Sequence, residues 1–256
     1  MISYRTVDLA RLNSATKYPS IDTYHRLDPK TGDLTEALNH SFTGDVYMTE
    51  KIDGTNGRIV LCPDGWIIGS RNELLTGEGD LIVNPKESIV ETLMYSAERL
   101  SHRNADENVI VAYFEVYGSQ GPKAKQYSHK GKTNGCRLFD IATIPTEVLD
   151  WEPSKISGWR QNSGQDFVPA HLLPSWADAM GADLVPWVGG IDGSQLPTGV
   201  DETEAWMQDL VPLTQANLDR ATPGAAEGLV IRSENRSAIA KLRFEDYGRT
   251  RVRSRK

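Results

Sequence analysis

The sequence predicts an α+β fold in which antiparallel sheets are flanked by helices. Two hairpins and one amphipathic helix carry that expectation. Arg58-Ile59-Val60-Leu61-Cys62 and Trp66-Ile67-Ile68-Gly69-Ser70 are β-forming runs on either side of Pro63-Asp64-Gly65, a strong turn signal. Ala226–Arg232 and Ala238–Phe244 are joined in the same way by Ser233-Glu234-Asn235-Arg236. Between the hairpins, Ile89, Val90, Leu93, Met94, Ala97 and Leu100 fall at helical spacing, as a helix of about four turns packed on a sheet requires.

The other elements follow in chain order. Residues 1–44 are mixed, with a turn cluster at Asp28-Pro29-Lys30-Thr31-Gly32. Asp45-Val46-Tyr47-Met48-Thr49 opens a strand over 45–52, and Gly54 and Gly57 turn the chain after it. Thr76-Gly77-Glu78-Gly79-Asp80 is a loop whose two acids make it structural rather than a phosphate cradle. Asn84-Pro85 is the expected start of the amphipathic helix. Val109–Gly118 is apolar on both faces and reads as a central strand. Gly135–Ile144 is another strand, and 145–170, rich in Pro, Gly and Trp, reads as irregular connection. Ser175 and Gly181 bracket a short helix, with Trp176 and Met180 on one side. Asp201 with Glu204 forms a capping box for a helix through Leu210, and Thr214 caps a further helical stretch ending near Pro223.

A chain of 256 residues can bury a full core. No apolar run approaches the roughly 18 residues of a membrane span, and the N-terminus lacks a signal peptide's apolar region. Cys62 and Cys136 are the only cysteines, too few for a structural zinc site or a disulfide framework. A reducing cytoplasm is the expected compartment, with no membrane partner. The net charge of −7 disfavours nucleic acid on charge alone. The charge is patchy, however. Arg249–Lys256 carries five cations and no acid, and Lys123, Lys125, Lys130 and Lys132 share one loop-like stretch. A local basic surface on an acidic protein is therefore expected. Walker, His-Glu-x-x-His and Gly-x-Ser-x-Gly motifs are absent.

Three places carry chemistry. Lys51 stands at a strand end, where a lone lysine is ordinarily a solvated charge. Here Asp53 lies close by and Gly54 lets a ligand approach the backbone. An amine there can act as a nucleophile once its pKa, about 10.4 when free, is pushed down by burial or nearby cations. Glu115 shares a strand face with Val109, Val111 and Tyr113, so it either pairs with a cation or lines a site. Lys241 and Arg243 share a face with Ile239, opposite Ala238, Ala240, Leu242 and Phe244. That face is either the wet side of a sheet or the wall of an anion-binding cleft.

Taken in order, these places resemble the motifs of the covalent nucleotidyltransferases, the superfamily of DNA ligases, RNA ligases and mRNA capping enzymes. Lys51-Ile52-Asp53-Gly54 resembles motif I, Phe114-Glu115-Val116-Tyr117-Gly118 motif III and Leu138-Phe139-Asp140-Ile141 motif IIIa. Glu227-Gly228-Leu229-Val230 resembles motif IV, and Lys241-Leu242-Arg243 motif V. Glu50-Lys51-Ile52-Asp53-Gly54-Thr55-Asn56, the opening Lys17-Tyr18-Pro19-Ser20-Ile21 and Arg71 are similar to the RNA ligase 2 family. Two residues depart from that family's pattern: Asp53 replaces its common histidine, and Arg243 replaces the second lysine of motif V.

The resemblance implies a ligase adenylation fold, ATP-grasp-like, with the nucleotide cleft between the sheets. It implies an adenylyltransferase domain over 1–248. Such ligases generally append an OB-fold or helical module after motif V; here a basic tail over 249–256 and no appended domain are expected instead, a further departure from the pattern. A partner protein could then supply the missing surface. The implied activity is ATP-dependent RNA ligation of 5′-phosphate and 3′-OH ends through lysyl-AMP and AppRNA, on RNA ends or a nicked duplex. Lys51 takes the AMP. Lys241 and Arg243 contact the α-phosphate and lower the Lys51 pKa. Glu227 with Glu115 holds Mg²⁺ or Mn²⁺. Phe139 stacks on adenine, Glu50 approaches its edge, Glu115 the ribose, and Arg71 the ribose or the RNA terminus. Ile52 and Gly54 complete the nucleotide-binding set, while Asp53, Asn56 and Asp140 serve the sealing steps. A DNA nick ligase would share every motif and is favoured by Asp53. A GTP-using capping enzyme is disfavoured by Asn56. A non-sealing RNA-end-binding module would have no need of the Lys51 nucleophile.

Overall fold

A computed structural model describes residues 3–84, 88–103, 105, 107–118, 124–128, 133–219 and 223–254, without the side chains of 253 and 254. Pro85, Lys123, Lys130, Lys132, Arg255 and Lys256 therefore lie outside the described residues. In chain order the elements begin with α1 (Leu9–Thr16), β1 (His25–Leu27) and β2 (Leu34–Leu38). Then come β3 (Asp45–Lys51), β4 (Thr55–Cys62), β5 (Gly65–Ser70), β6 (Leu74–Gly77) and β7 (Asp80–Leu81). The middle of the chain holds α2 (Ile89–Leu100), β8 (Asn108–Gly118), α3 (Ala124–Tyr127), β9 (Asn134–Pro145), α4 (Pro153–Gln161), β10 (Asp166–Phe167) and α5 (Leu173–Met180). The last part holds β11 (Trp187–Asp192), α6 (Val200–Leu210), β12 (Gly228–Ser233), β13 (Ile239–Arg243) and α7 (Phe244–Ser254). No helix among the described residues is long and apolar enough to cross a membrane.

The chain forms two compact units. The first comprises Met1–Ser20, Gly54–Gly121 and Lys132–Leu184. Its seven-stranded antiparallel sheet has the order β10-β9-β8-β4-β5-β6-β7. Side chains alternate across the strands, so each face builds its own core. Ile59, Ile68, Ala112 and Phe114 meet Leu93 and Ala97 of α2 and Ala177 and Met180 of α5. On the opposite face, Val60, Ile67, Val111 and Tyr113 meet Leu12 and Ala15 of α1 and Ile156 of α4. The central position expected for the 109–118 strand is the one β8 occupies, paired on both sides.

Two helices of this unit went unread in the sequence. The Asp8 side chain caps α1, accepting from the amides of Ala10 (2.9 Å) and Arg11 (3.1 Å). Helix α4 lies in the stretch expected to be irregular. Pro153 starts it, where a missing N–H costs nothing, and only Ile156 and Arg160 are buried, so its apolar periodicity is faint. The stretch 76–80, expected to be a loop, is a tight hairpin: Thr76 and Gly77 end β6, Asp80 opens β7, and only Glu78 and Gly79 form the turn. Glu78 (φ 46°) and Gly79 (φ 95°) both have positive φ, the signature of a type I′ hairpin turn.

The second unit comprises Ile21–Asp53, Pro122–Gly131 and Val185–Lys256. It holds the β1–β2 hairpin and a four-stranded antiparallel sheet of order β11-β3-β12-β13. Val46, Met48, Leu229, Ile231, Ala240 and Leu242 form one face, packed on Val200 and Met207 of α6 and Tyr247 of α7. Beyond β13, the Lys241 amide donates to Asp22 O (2.9 Å) and the Tyr24 amide to Lys241 O (3.0 Å), which covers that edge.

Two sequence expectations are corrected here. Helix α6 begins after Gly199, so Asp201 lies inside its first turn and is not its cap. The cap comes from another element: Glu36 of β2 accepts from the Val200 amide at 3.1 Å, a tertiary contact that no local pattern encodes. No helix starts at Thr214: the described residues of 211–227 hold none. Leu213 instead bridges Ala225, and the Thr214 amide donates to Gly224 O at 2.9 Å. Helix α7 takes in Arg249–Ser254, so this much of the basic run is helical.

Burial pushes the Cys62 thiol up to about 12 and Cys136 up to about 11. The thiolate is the reactive form, so neither thiol should react with DTNB at pH 8 until the protein is unfolded, when both should titrate. Phe114→Ala in the fully buried core should cost about 3–5 kcal/mol in denaturant unfolding, while exposed Val83→Ala should change stability by less than about 0.5 kcal/mol.

Candidate active site

Strand β3 alternates in burial, with Val46, Met48 and Glu50 inward and Tyr47, Thr49 and Lys51 on the opposite face. Lys51 ends the strand. It pairs in register with Gly228 of β12, which pairs in turn with Arg243 of β13. One row lower, Val230 stands between Thr49 and Lys241. Lys51, Lys241 and Arg243 therefore share one face of one sheet. The Lys51 Nζ donates to Glu227 Oε2 at 2.6 Å, with the lysine side chain 25% and the glutamate 10% exposed.

Gly228 is required at the centre of this arrangement. Its φ is +157°, and a Cβ there would stand 1.9 Å from Leu242 O. Only glycine lets β12 close on β13 immediately after Glu227.

Arg243 is held by Asp246, in the first turn of α7. Its Nε and Nη2 donate to the two oxygens of Asp246 at 2.8 and 2.9 Å, a fork-to-carboxylate pair. Asp246 is 1% exposed and also accepts from Arg249 Nη2 at 3.0 Å. Burial alone would lower the Arg243 pKa, but Asp246, joined by Glu227 and Glu245, outweighs it and raises it. A lysine has no such fork, so Asp246 gives a physical reason for arginine at this position. The signal was present as Arg-x-x-Asp, one helical turn apart.

Glu50 faces the core side of the sheet, away from the Lys51 face. Its Oε1 accepts from the Thr214 hydroxyl (2.5 Å) and its Oε2 from the Gln215 amide (2.8 Å). Thr214, read as a helix cap, is thus an anchor for motif I. Tyr127 is a second unread support. It is buried on α3, and its hydroxyl accepts from the Asp53 amide at 2.7 Å, fixing the turn after Lys51. Burial, reinforced by Glu50, Asp53 and Glu227, raises the Tyr127 pKa, so the phenol stays protonated.

The first unit carries the other candidates. A Cβ on Gly54 would stand 2.4 Å from Val116 O, so motif I needs glycine here as well. Asn56 pairs in register with Glu115, which pairs across β8–β9 with Arg137. The Asn56 Oδ1 is buried with no hydrogen-bond partner among the described residues. The β8–β9 register shifts at Tyr113/Phe114, so Tyr113 faces Asp140 and Phe114 faces Leu138. Phe139 is the extra residue of this bulge, which puts consecutive Phe139 and Asp140 on one face. Tyr18 binds both. Its ring meets Phe139 edge-on at 4.9 Å and its hydroxyl donates to Asp140 Oδ2 at 2.8 Å. Arg71 is exposed, and its carbonyl accepts from Arg58 Nη1 at 3.3 Å. Burial pushes the enclosed Arg58 guanidinium down to about 10.

Of the residues singled out in the sequence, Glu50, Lys51, Ile52, Asp53, Glu227, Lys241 and Arg243 lie in the second unit, and Gly54, Asn56, Arg71, Glu115, Phe139 and Asp140 in the first. Among the described residues, no three His, Cys, Asp or Glu side chains group as a metal cage. A hydrated Mg²⁺ needs only one or two carboxylates, so Glu227 suits it as a single protein ligand.

No curated protein sequence matches the chain. Solved structures of Naegleria gruberi RNA ligase do resemble it. A mutant with ATP and Mn aligns with a TM-score of 0.54 at 13% identity, covering 90% of this chain and 62% of that one. The same ligase with PPi gives 0.53 at 13% identity, covering 92% and 64%. A mutant with AMP and Mn gives 0.54 at 14% identity, covering 90% and 62%. The chain thus spans less than two thirds of that ligase, and at such identity the likeness shows the fold. The RNA ligase family model matches residues 44–244, and the chain belongs to the RNA ligase family.

Proposed function

We propose that this chain is an ATP-dependent RNA ligase that joins 5′-phosphate and 3′-OH ends through lysyl-AMP on Lys51 and an AppRNA intermediate, with residues 1–248 as its adenylyltransferase domain. The observation that carries the reading is the row Lys51–Gly228–Arg243 with Glu227 at 2.6 Å from the Lys51 amine. ATP or AMP with Mn in the N. gruberi ligase structures supports the same cofactors for this chain.

The Lys51 amine attacks the α-phosphate of ATP, forming an N–P bond as pyrophosphate leaves. It must be neutral to do so, and Glu227 is the nearest acceptor for the proton it sheds. The AMP then passes to an RNA 5′-phosphate, and a 3′-OH displaces it. Negative charge gathers on phosphoryl oxygens at each step, so fixed cations dominate the catalysis. Lys241 supplies one of them on the Lys51 face, and Arg243, aimed by Asp246, supplies the other. A divalent cation at Glu227 would neutralise part of that charge. Tyr127 and the Glu50–Thr214 contact position the motif I backbone. Phe139 offers a ring for adenine, held by Tyr18, while Arg71, Asn56 and Asp140 serve the RNA ends. Asp53, where RNA ligase 2 relatives carry histidine, favours DNA nick sealing as the second reading; rates on nicked RNA and nicked DNA duplexes separate the two.

With α-³²P-ATP and Mg²⁺, the parent protein should become covalently labelled and Lys51→Ala should not. Labelled Lys51→Ala would end this reading. Asp246→Asn should lower the labelling rate about 10- to 100-fold while costing about 1–3 kcal/mol in denaturant unfolding. Arg243→Lys should lower it comparably, because one ammonium cannot replace the fork.

A further inference from the structure

The Lys51 face of the four-stranded sheet continues past the charged row, and its far end is aromatic. Tyr47 lies on that face four residues before Lys51, and Trp187 of β11 pairs with Thr49. The Trp187 and Tyr47 rings meet edge-on at 5.5 Å and 66°. Trp187 is 54% exposed, although exposed tryptophan is uncommon. Both rings are already fixed. A Cβ on Gly190 would lie 3.6 Å from the Trp187 ring, an ordinary van der Waals distance, so the ring lies over this part of β11. The Tyr47 hydroxyl hydrogen-bonds Glu234. At about 3.4 Å per residue, this pair stands roughly 7–14 Å along the strand from Lys51.

We propose that Trp187, braced by Tyr47, is a stacking site for one unpaired nucleobase of the RNA, close to the end being joined. The site rests on the RNA ligase reading and adds a contact to it. Cations at one end of the face suit phosphates and an open aromatic ring at the other suits a base, the combination that single-strand binders use. A ring fixed in advance loses little freedom when a base stacks on it. A stack has no preference for sequence, so the site would hold the strand in place without selecting it.

The test uses single-stranded RNA with a 5′-phosphate and nicked RNA duplexes, each carrying 2-aminopurine at one of several positions near the junction. Fluorescence quenching on binding needs no catalysis. The parent should quench one position most strongly. Trp187→Ala should lose that quenching and weaken RNA binding about 5- to 150-fold. Trp187→Phe should keep most of both. Melting curves of the variants confirm folding. The proposal is overturned if Trp187→Ala binds and quenches like the parent. It is also overturned if the variant changes only the oligomeric state in sizing experiments, since the ring would then be a protein contact. Labelling by α-³²P-ATP is scored separately. A parent that fails to label while quenching depends on Trp187 counts against the ligase reading alone.

Discussion

The structure depends most on the closeness with which β12 packs between β3 and β13. Gly228 pairs with Lys51 on one side and Arg243 on the other. Motifs that lie far apart in the chain become one row of side chains because three strands share a register. A single-residue slip in that register would turn Lys51 or Arg243 to the core face, since side chains alternate strictly along a strand. The apolar alternation of Val46 and Met48, Leu229 and Ile231, and Ala240 and Leu242 resists such a slip, because each slip would expose one of these sets to water. The burial of the core thus holds the chemistry in alignment.

Supporting contacts around that row follow one pattern. Several charged or turning residues of the motifs are held by a neutral or oppositely charged group outside the motif. Asp246 holds Arg243, Thr214 and Gln215 hold Glu50, and Tyr127 holds the Asp53 peptide. In the other unit, Tyr18 ties Phe139 and Asp140 together across their bulge. That contact gives the Lys17-Tyr18 segment a physical task. Its tyrosine locks two consecutive side chains onto one face, which a regular strand could not present.

Strands β3, β4, β5, β8, β9, β12 and β13 were legible in the sequence because they alternate or run apolar between turn residues, while β1, β2, β6, β7, β10 and β11 are short or only partly apolar and were not. The motif residues were legible because each ends or lines such a strand. What was hidden depended on partners distant in sequence. The cap of α6 comes from Glu36, the hydroxyl of Thr214 serves Glu50, and Tyr127 sits on a short helix with little periodicity. Helix α4 was masked by Pro153 and Gly158, residues that usually signal loops. The bulge at Phe139 leaves no mark in composition, and the aromatic end of the Lys51 face appears only once Trp187 and Tyr47 are placed on neighbouring strands.

Gly228 also bears on how natural variants of this family should be judged. It has no charge and carries no reactive atom, yet no side chain fits at φ +157° with a carbonyl 1.9 Å from the Cβ position. A homologue that keeps every acid and base but has lost this glycine would look active by inspection of its charged residues. Its strands could not close on each other, and an inventory of functional groups would count a broken site as a working one.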